Sequence, residues 1–188
     1  GTATQVWDGP TMRLYDPNVD PPGRLTEAGV QFIEEMNRLG ILLDVTHMVE
    51  ECFWDALEVA RAPVIATHGN ARALRDTVRY LNDEQIRAIA VTGGLACPSP
   101  MPLGPGGETA SLEMLLDHID YMVALVGADH VGFGTDLLDQ VNARPQGLAD
   151  IGESQHIVAG LQQRGHSAAA IAAIMGGNFI RVFGEAVG

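Results

Sequence analysis

Cysteine, basic residues and long apolar runs are all scarce in this sequence. Cys52 and Cys97 are the two cysteines of the 188 residues, and they do not form a Cys-x-x-Cys pair. This argues against a cysteine zinc site or a disulfide framework and predicts two small buried apolar side chains. No apolar run approaches the roughly 20 residues that a membrane span requires, so the sequence predicts no span.

Basic side chains are outnumbered by acidic ones. The sequence has 11 Lys and Arg residues together against 24 Asp and Glu, which gives a formal net charge of −13. Nucleic acid and anionic membrane surfaces would repel such a chain, so we expect neither as a partner. No signal peptide opens the chain, and we expect a cytoplasmic protein.

Apolar residues make up 46% of the sequence, which is typical of a packed globular protein. Residues 1–23 are rich in Gly, Pro and Asp and predict an irregular lead-in. From Leu25 onward, helical stretches alternate with short apolar runs that end in polar residues. This alternation predicts a single α/β domain with about four parallel strands.

The predicted helices and strands follow one another along the chain. Thr26 caps the first helix and Gly40 ends it. Further helices are predicted at residues 49–61, 83–88, 111–126, 154–164 and 167–182. Strands are predicted at residues 41–47, 63–68, 89–95 and 131–136. Near-continuous apolar strands of this kind suit a parallel sheet that is covered on both faces.

Three predicted strands end in a residue capable of chemistry, namely His47, His68 and Asp136. Ligand sites in parallel α/β folds form at the C-terminal ends of strands, where the βα loops converge. Neighbouring strands lie about 4.8 Å apart, so two imidazoles could reach one ion, and zinc accepts such nitrogen ligands readily. The alternative is a pair of hydrogen-bonded core histidines.

Two further residues are candidates for the same site. Asp136 follows Gly-Phe-Gly-Thr, where a carboxylate could bind metal or move a proton, or could cap a turn. The planar guanidinium of Arg79 suits bidentate capture of a carboxylate if it faces the site, and is otherwise a surface residue. The remaining histidines lie in or beside predicted helices and are interpreted as structural: His118, His130, His156 and His166.

A series of ordered motifs resembles the renal (membrane) dipeptidase family of zinc metallopeptidases. The motifs include Leu25-Thr26-Glu27-Ala28-Gly29, Leu43-Asp44-Val45-Thr46-His47, Ala66-Thr67-His68-Gly69-Asn70, Gly132-Phe133-Gly134-Thr135-Asp136 and Gly177-Asn178-Phe179-Ile180-Arg181. The similarity runs in order over residues 24–183.

The resemblance implies a TIM-type (β/α)8 barrel with a binuclear zinc centre that hydrolyses dipeptides. It makes His47 and His68 ligands of one zinc ion, Arg79 the group that holds the free carboxylate of the substrate, and Asp136 the residue that assists proton transfer. The chain matches the C-terminal half of such a barrel. The other zinc ligands of the family belong upstream of residue 1, so only part of the ligand set is expected here.

A half barrel would expose strand edges and the inner faces of its strands. We therefore expect the missing N-terminal half, or a second copy of the chain, as a partner, and little or no activity from the chain alone. Two alternatives stay open: a non-catalytic half-barrel module for binding or assembly, and a hydrolase of a related small amide. The latter is supported by the altered segment Asp136-Leu137-Leu138-Asp139, which stands where the resembled family frequently has Asp-Phe-Asp-Gly.

Overall fold

A small parallel sheet forms the centre of the protein. The computed structural model describes residues 4–5, 24–77, 79–100, 110–136 and 144–188. Within these ranges four strands lie side by side in chain order: β1 (Thr4–Gln5), β2 (Leu43–Asp44), β3 (Ile65–Ala66) and β4 (Leu95–Ala96). Val131 adds a single parallel bridge to Ala96. The predicted α/β class with parallel strands is confirmed.

Helices connect and cover the strands. They are α1 (Glu27–Leu39), α2 (Glu50–Val59), α3 (Asp83–Val91), α4 (Leu112–Val126), α5 (Gln155–Gln163), α6 (Ala168–Ala172) and α7 (Asn178–Val187). Side-chain caps begin several of them, because Thr26, Asn82 and Ser111 each accept a hydrogen bond from a backbone N–H of the first turn. Gly40 ends α1 in the left-handed conformation, at φ 65°, as the sequence predicts.

Residues of the strands alternate between two apolar clusters. Leu43, Val64, Ala66 and Ala96 belong to the larger cluster, which α1 to α5 complete with buried residues such as Ile33, Phe53, Ile86, Leu115 and Ile157. The intervening residues, Leu42, Ile65, Leu95 and Cys97, pack with Val182 of α7 in the smaller cluster. Burial of each Val, Leu, Ile or Phe side chain in these clusters contributes about 1.5–3 kcal/mol. Among the described residues the sheet is therefore covered on both faces, as its apolar strands predict, and the exposed inner faces expected of a half barrel are not found.

The strand predicted at residues 89–95 is wrong over most of its length. Asn82 and Gln85 form a capping box that begins α3, and this helix continues to Val91. Burial follows helical spacing: Ile86 and Ile89 lie on the inner face and are fully buried, whereas Val91 lies on the outer face and is 88% exposed. The apolar run Ile89-Ala90-Val91 suits a strand by composition alone, but it forms the last turn of a helix.

Two other predictions need correction. The lead-in predicted as irregular contains β1, whose two residues pair with Leu43 and Asp44 and are too few to give a sequence pattern. The rest of residues 1–23 lies outside the described residues. In the segment predicted as a strand at residues 131–136, Val131 forms one parallel bridge to Ala96, and Gly132 and Gly134 donate backbone hydrogen bonds to Ala96 and Pro98, but the pairing is too short to form a regular strand.

The C-terminal helical stretch packs on the body of the protein. Ala168–Val187, 20 residues with a mean hydropathy of 1.3, is long and apolar enough to cross a membrane, but length and composition alone are a weak indication. Gly176, at φ 152°, interrupts the regular helix. Side chains of α7 donate hydrogen bonds to backbone carbonyls of the body: Asn178 to Ala128 and Val131, and Arg181 to Gly93 and Asp129.

Both cysteines are buried and free of disulfide bonds, as the sequence predicts. Cys52 lies in α2 and Cys97 follows β4, and they are 1% and 6% exposed. Burial raises the pKa of each thiol to about 12. They are small core side chains rather than reactive or metal-binding thiols.

Candidate metal centre

The two histidines predicted as metal ligands meet at one point. His47 and His68 follow β2 and β3, which pair in parallel through Asp44 and Ile65. Their Nε2 atoms are 2.9 Å apart, and their ring centroids are 4.9 Å apart at an interplanar angle of 67°. Two nitrogens bound to one tetrahedral zinc at about 2.0–2.1 Å lie about 3.3 Å apart, so the rings need to separate by only a few tenths of an ångström. The donor set and its convergence fit a zinc ion.

Backbone strain is concentrated at two of the predicted site residues. Among the described residues, the non-glycine residues with a positive φ are His47, at 69°, and Asp136, at 48°. This left-handed conformation costs a non-glycine residue about 1–3 kcal/mol and persists where the surrounding structure enforces it, often at functional sites. The strain thus supports a functional role for both positions.

A buried carboxylate joins the two strand ends that carry the histidines. Asp44, 3% exposed, accepts hydrogen bonds at Oδ1 from Thr46 N (3.0 Å), Thr46 Oγ1 (2.6 Å) and Thr67 N (3.3 Å). Its Oδ2 accepts from Thr67 Oγ1 at 2.7 Å. Each threonine directly precedes one of the histidines. We call Asp44, Thr46 and Thr67 the strand-end cluster.

The strand-end cluster reaches the imidazole of His68. Oγ1 of Thr67 lies 3.0 Å from Nδ1 of His68, while Nε2 of the same ring faces His47. A chain of contacts therefore runs from the Asp44 carboxylate through the Thr67 hydroxyl to the His68 ring. Such carboxylate-linked contacts orient histidine ligands in metalloproteins.

Arg79 shares a cleft with the histidine pair. Its Nη2 lies 3.4 Å from Nε2 of His47, and its side chain is exposed. The cleft has a volume of about 400 Å³, and its walls include His47, His68, Arg72 and Arg79. A guanidinium beside two imidazoles can attract the carboxylate end of a small molecule. The structure thus brings three of the four predicted site residues together.

Asp136 lies on the neighbouring loop and is not one of the residues that line this cleft. Gly134, two residues earlier, packs so closely on β3 that an added Cβ would lie 1.7 Å from the carbonyl oxygen of Thr67. The segment is thus fixed against the backbone beside His68. The altered residues Leu137 and Leu138 lie outside the described residues.

The other histidines are bonded elsewhere, in agreement with their interpretation as structural. Nδ1 of His118 accepts from Ala71 N, His130 and His156 contact backbone carbonyls, and His166 contacts Asp120. In the part of the chain that the structure describes, no group of three or more His, Cys, Asp or Glu side chains is placed to hold a metal ion. Among the described residues, the two converging imidazoles of His47 and His68 are therefore the candidate ligands.

Asp44, Thr46 and Thr67 are the residues of the site that sequence reasoning missed. The sequence does contain a signal, because Thr-His closes both strands and an aspartate stands three residues before the first histidine. Reading that signal requires the register of β2 and β3, which places Thr67 beside Asp44.

Imidazoles that converge at the carboxyl edge of a parallel α/β sheet are typical of metallohydrolases. A model of the family described as membrane dipeptidase, peptidase family M19, matches residues 3–187. The chain belongs to this family.

Relatives with similar sequences include a dipeptidase and an uncharacterized protein. Dipeptidase tcpJ of Claviceps purpurea is 36% identical over 163 residues, which cover 86% of this chain and 38% of the relative. An uncharacterized protein in the pqqA 5′ region of Klebsiella pneumoniae is 34% identical over 166 residues, covering 86% of this chain and 60% of the relative. The chain thus spans less than two thirds of the length of these relatives.

Solved structures share the fold. A metallopeptidase from Rhodobacter sphaeroides, solved with a phosphinate mimic of the dipeptide L-Ala-D-Ala, has a TM-score of 0.85 and 29% identity, covering 98% of this chain and 56% of that one. The probable dipeptidase PvdM from Pseudomonas aeruginosa has a TM-score of 0.80 and 28% identity, covering 88% of this chain and 55% of that one.

Proposed function

We propose that this chain carries part of the active site of a zinc-dependent dipeptidase. His47 and His68 bind zinc, Arg79 holds the free carboxylate of the dipeptide, and Asp136 carries a proton during hydrolysis. The observation that carries the proposal is the pair of Nε2 atoms 2.9 Å apart at the ends of adjacent parallel strands. Membership of the membrane dipeptidase family supports it.

The substrate class rests on the cleft and on a related structure. Arg79 places a cation 3.4 Å from Nε2 of His47, which suits a small substrate with a terminal carboxylate. The related metallopeptidase from Rhodobacter sphaeroides binds a mimic of L-Ala-D-Ala. We therefore propose dipeptides of this kind as substrates.

Each residue has a distinct task in this proposal. When bound, zinc supplies Lewis-acid chemistry and lowers the pKa of a water molecule. His47 and His68 hold it with their Nε2 atoms. Arg79 orients the substrate by its carboxylate, so that the amide reaches the histidine pair. The carboxylate of Asp136 takes a proton from the attacking water and returns it to the leaving amine.

The strands are proposed to be consecutive strands of a TIM-type barrel. Their arrangement in chain order, with parallel pairing throughout, supports this architecture. Catalytic zinc sites commonly use three protein ligands, and two converge within the described residues. We therefore propose that this polypeptide alone has little or no dipeptidase activity and needs further ligands from a partner segment.

The proposal is tested by the zinc content of the purified 188-residue chain, measured after exhaustive dialysis. We expect close to one zinc per chain, and loss of that zinc in His47→Ala and in His68→Ala. His156→Ala is the matched control, because His156 is exposed and contacts the carbonyl of Gly147 instead. Arg79→Gln is expected to keep the metal.

Absence of bound zinc in a folded wild-type chain would overturn the proposed metal site. The activity of the chain is tested separately with L-Ala-D-Ala. We expect no hydrolysis above the background of His47→Ala. Turnover that depends on His47 and His68 would show that the isolated chain is a complete enzyme.

A further inference from the structure

We infer that Asp44 and Thr67 are positioning residues that fix which ring nitrogen of His68 carries its proton. They hold the ring as the Nδ1–H tautomer, so that Nε2 keeps a lone pair, which accepts from Nε2–H of His47 in the metal-free chain and is available to a metal ion once that proton leaves. This inference deepens the proposed function, because it concerns the same zinc site. It predicts that a residue without contact to the metal controls whether His68 can bind it.

The proton assignment follows from counting donors. The carboxylate of Asp44 accepts from Thr67 Oγ1 at 2.7 Å and from Thr46 Oγ1 at 2.6 Å. The two hydroxyl oxygens are 3.3 Å apart, so the shorter contacts assign both hydroxyl protons to Asp44. A hydroxyl has one proton to donate. Oγ1 of Thr67 therefore accepts at its 3.0 Å contact with His68, and Nδ1 of His68 is the donor.

The same carboxylate organises the turn that leads to His47. Oδ1 of Asp44 accepts both the N–H and the hydroxyl of Thr46, and His47 follows at φ 69°. This oxygen also accepts Thr67 N–H at 3.3 Å. One carboxylate thereby ties both strand ends together at the histidines and supports the strained backbone of His47.

Asp44→Asn is expected to reverse the tautomer of His68. Three donors face Oδ1, so the amide oxygen of the new residue takes that place and its NH2 group takes the place of Oδ2. The NH2 group then donates to Thr67 Oγ1. The Thr67 hydroxyl is then expected to turn its proton toward Nδ1 of His68, 3.0 Å away, rather than toward Thr46 Oγ1 at 3.3 Å, and the ring proton moves to Nε2. A protonated Nε2 cannot bind metal, and such changes around a ligand typically weaken metal binding about 10–100-fold.

The tautomer is measured directly by nitrogen NMR. Long-range proton–nitrogen spectra of the labelled, metal-free chain at pH 8 distinguish a protonated ring nitrogen from a bare one, and His68→Gln identifies the signals. We expect a protonated Nδ1 and a bare Nε2 in the wild type, and the reverse in Asp44→Asn. A protonated Nε2 in the wild type, or an unchanged pattern in folded Asp44→Asn, would overturn the inference.

Substitutions at Thr67 test the inference without changing the carboxylate. Thr67→Val keeps the shape of the side chain but removes the hydroxyl, so His68 is expected to lose its preference for Nδ1–H. Thr67→Ser restores the hydroxyl and is expected to restore the wild-type spectrum. Identical ring signals in Thr67→Val and the wild type would contradict the inference even if Asp44→Asn failed to fold.

Asp55→Asn is the matched control for removal of a buried charge. Asp55 is 8% exposed, accepts hydrogen bonds from Arg24 and Leu25, and belongs to α2. We expect this change to lower stability and to leave the His68 signals unchanged. If Asp55→Asn also reversed the His68 tautomer, the reversal in Asp44→Asn would be a result of general destabilisation. That outcome would overturn the role of Asp44.

Zinc titration separates this inference from the proposed function. The expected result is an affinity about 10–100-fold weaker for Asp44→Asn and Thr67→Val than for the wild type. A wild-type chain with the Nδ1–H tautomer and no zinc affinity would contradict the proposed function and leave the tautomer control standing. Tight zinc binding by an Asp44→Asn variant with an Nε2–H ring would contradict the inference alone.

Discussion

The buried carboxylate of Asp44 and the partly exposed guanidinium of Arg164 each gather several hydrogen bonds, and they do so in opposite surroundings. Asp44 is 3% exposed and bonds to neighbours that are themselves largely buried. The side chain of Arg164 is 24% exposed and pairs at 2.7 Å with Asp117, Asp120 and Glu113, of which Asp117 and Glu113 are 60% and 75% exposed. We call the second group the surface cluster.

The difference between the two clusters lies in what replaces a lost partner. In the strand-end cluster, removal of Asp44 leaves buried N–H and O–H groups without an acceptor. In the surface cluster, water replaces a lost carboxylate at little cost. Burial lowers the pKa of Arg164, but hydrogen bonds to Asp120, Asp117 and Glu113 more than offset this and raise it further above its ordinary value. The surface cluster therefore joins α4 to the end of α5 without determining chemistry.

Asp44→Ala is expected to have the largest effect on stability. The substitution leaves donors of Thr46 and Thr67 unsatisfied in a buried setting, which costs about 1–3 kcal/mol for each group left unpaired. We expect the free energy of unfolding to fall by about 4 kcal/mol in total. Urea denaturation of the variant and the wild type measures this directly, and a loss below that of Arg164→Gln would contradict the comparison.

His118 is expected to give the protein a marked loss of stability in acid. It lies on α4, which also carries the carboxylates of the surface cluster, but it points inward and accepts from Ala71 N. Burial lowers its pKa from 6.5 to about 4. Between these values the unfolded chain binds a proton that the folded chain does not. The contribution of neutral His118 to the free energy of unfolding is therefore fully present above about pH 6.5. About 3 kcal/mol of it is lost as the pH falls toward 4.

His118→Asn provides the measurement for this pH dependence. The Asn side-chain oxygen can replace Nδ1 as the acceptor for Ala71 N–H, but it does not titrate. The free energies of unfolding of the two proteins should approach each other as the pH falls from 7 to 4, because the wild type loses about 3 kcal/mol more than the variant over this range. Parallel pH profiles for the two proteins would show that His118 does not contribute.

Alanine substitutions at two glycines that contact opposite ends of β3 should distinguish an effect on stability from an effect on metal binding. An added Cβ at Gly134 would lie 1.7 Å from the carbonyl oxygen of Thr67, and one at Gly94 would lie 1.9 Å from that of Val64. Both alanine variants should therefore lose about 1–3 kcal/mol, because the backbone must shift. Only Gly134→Ala moves the strand end beside His68, so only this variant should weaken zinc binding. Equal losses of zinc affinity would falsify this distinction.

Arg164→Gln is expected to have the smallest effect. Ion pairs whose carboxylates are exposed contribute about 0–1 kcal/mol each, and water hydrates the carboxylates when the guanidinium is removed. A loss of about 1 kcal/mol corresponds to a melting temperature lowered by about 2–4 °C in a domain of this size. Calorimetry at low and high salt measures the effect, which should diminish as salt screens the cluster.

The sequence predicts the strand ends well because two local signals coincide there. Apolar runs locate β2 and β3, and a histidine that directly follows each run identifies the edge of the sheet at which both side chains lie. Arg79 was placed in the site by family resemblance, and the structure brings it to the cleft. Their proposed roles stay predictions, and so does that of Asp136.

Other features depend on information that a linear pattern does not contain. Ile89-Ala90-Val91 suits a strand and a helix equally by composition, and the capping box of Asn82 with Gln85 decides for the helix. Thr4 and Gln5 join the sheet only because β2 offers them a pairing edge. Asp44 gains its place in the site from the register of two strands, which brings Thr67 within hydrogen-bond distance.

The strand-end cluster, taken together with His47 and His68, also has a use in protein design. The combined unit consists of one aspartate inside a strand, a Thr-His step at the end of that strand, and a second Thr-His step at the end of the parallel neighbour. Because backbone and hydroxyl hydrogen bonds set the distance between the histidines, the unit should transfer to other parallel sheets as a small module. A designer could graft these five side chains as a ready-made bidentate ligand, with ring orientation specified by the scaffold rather than found by screening.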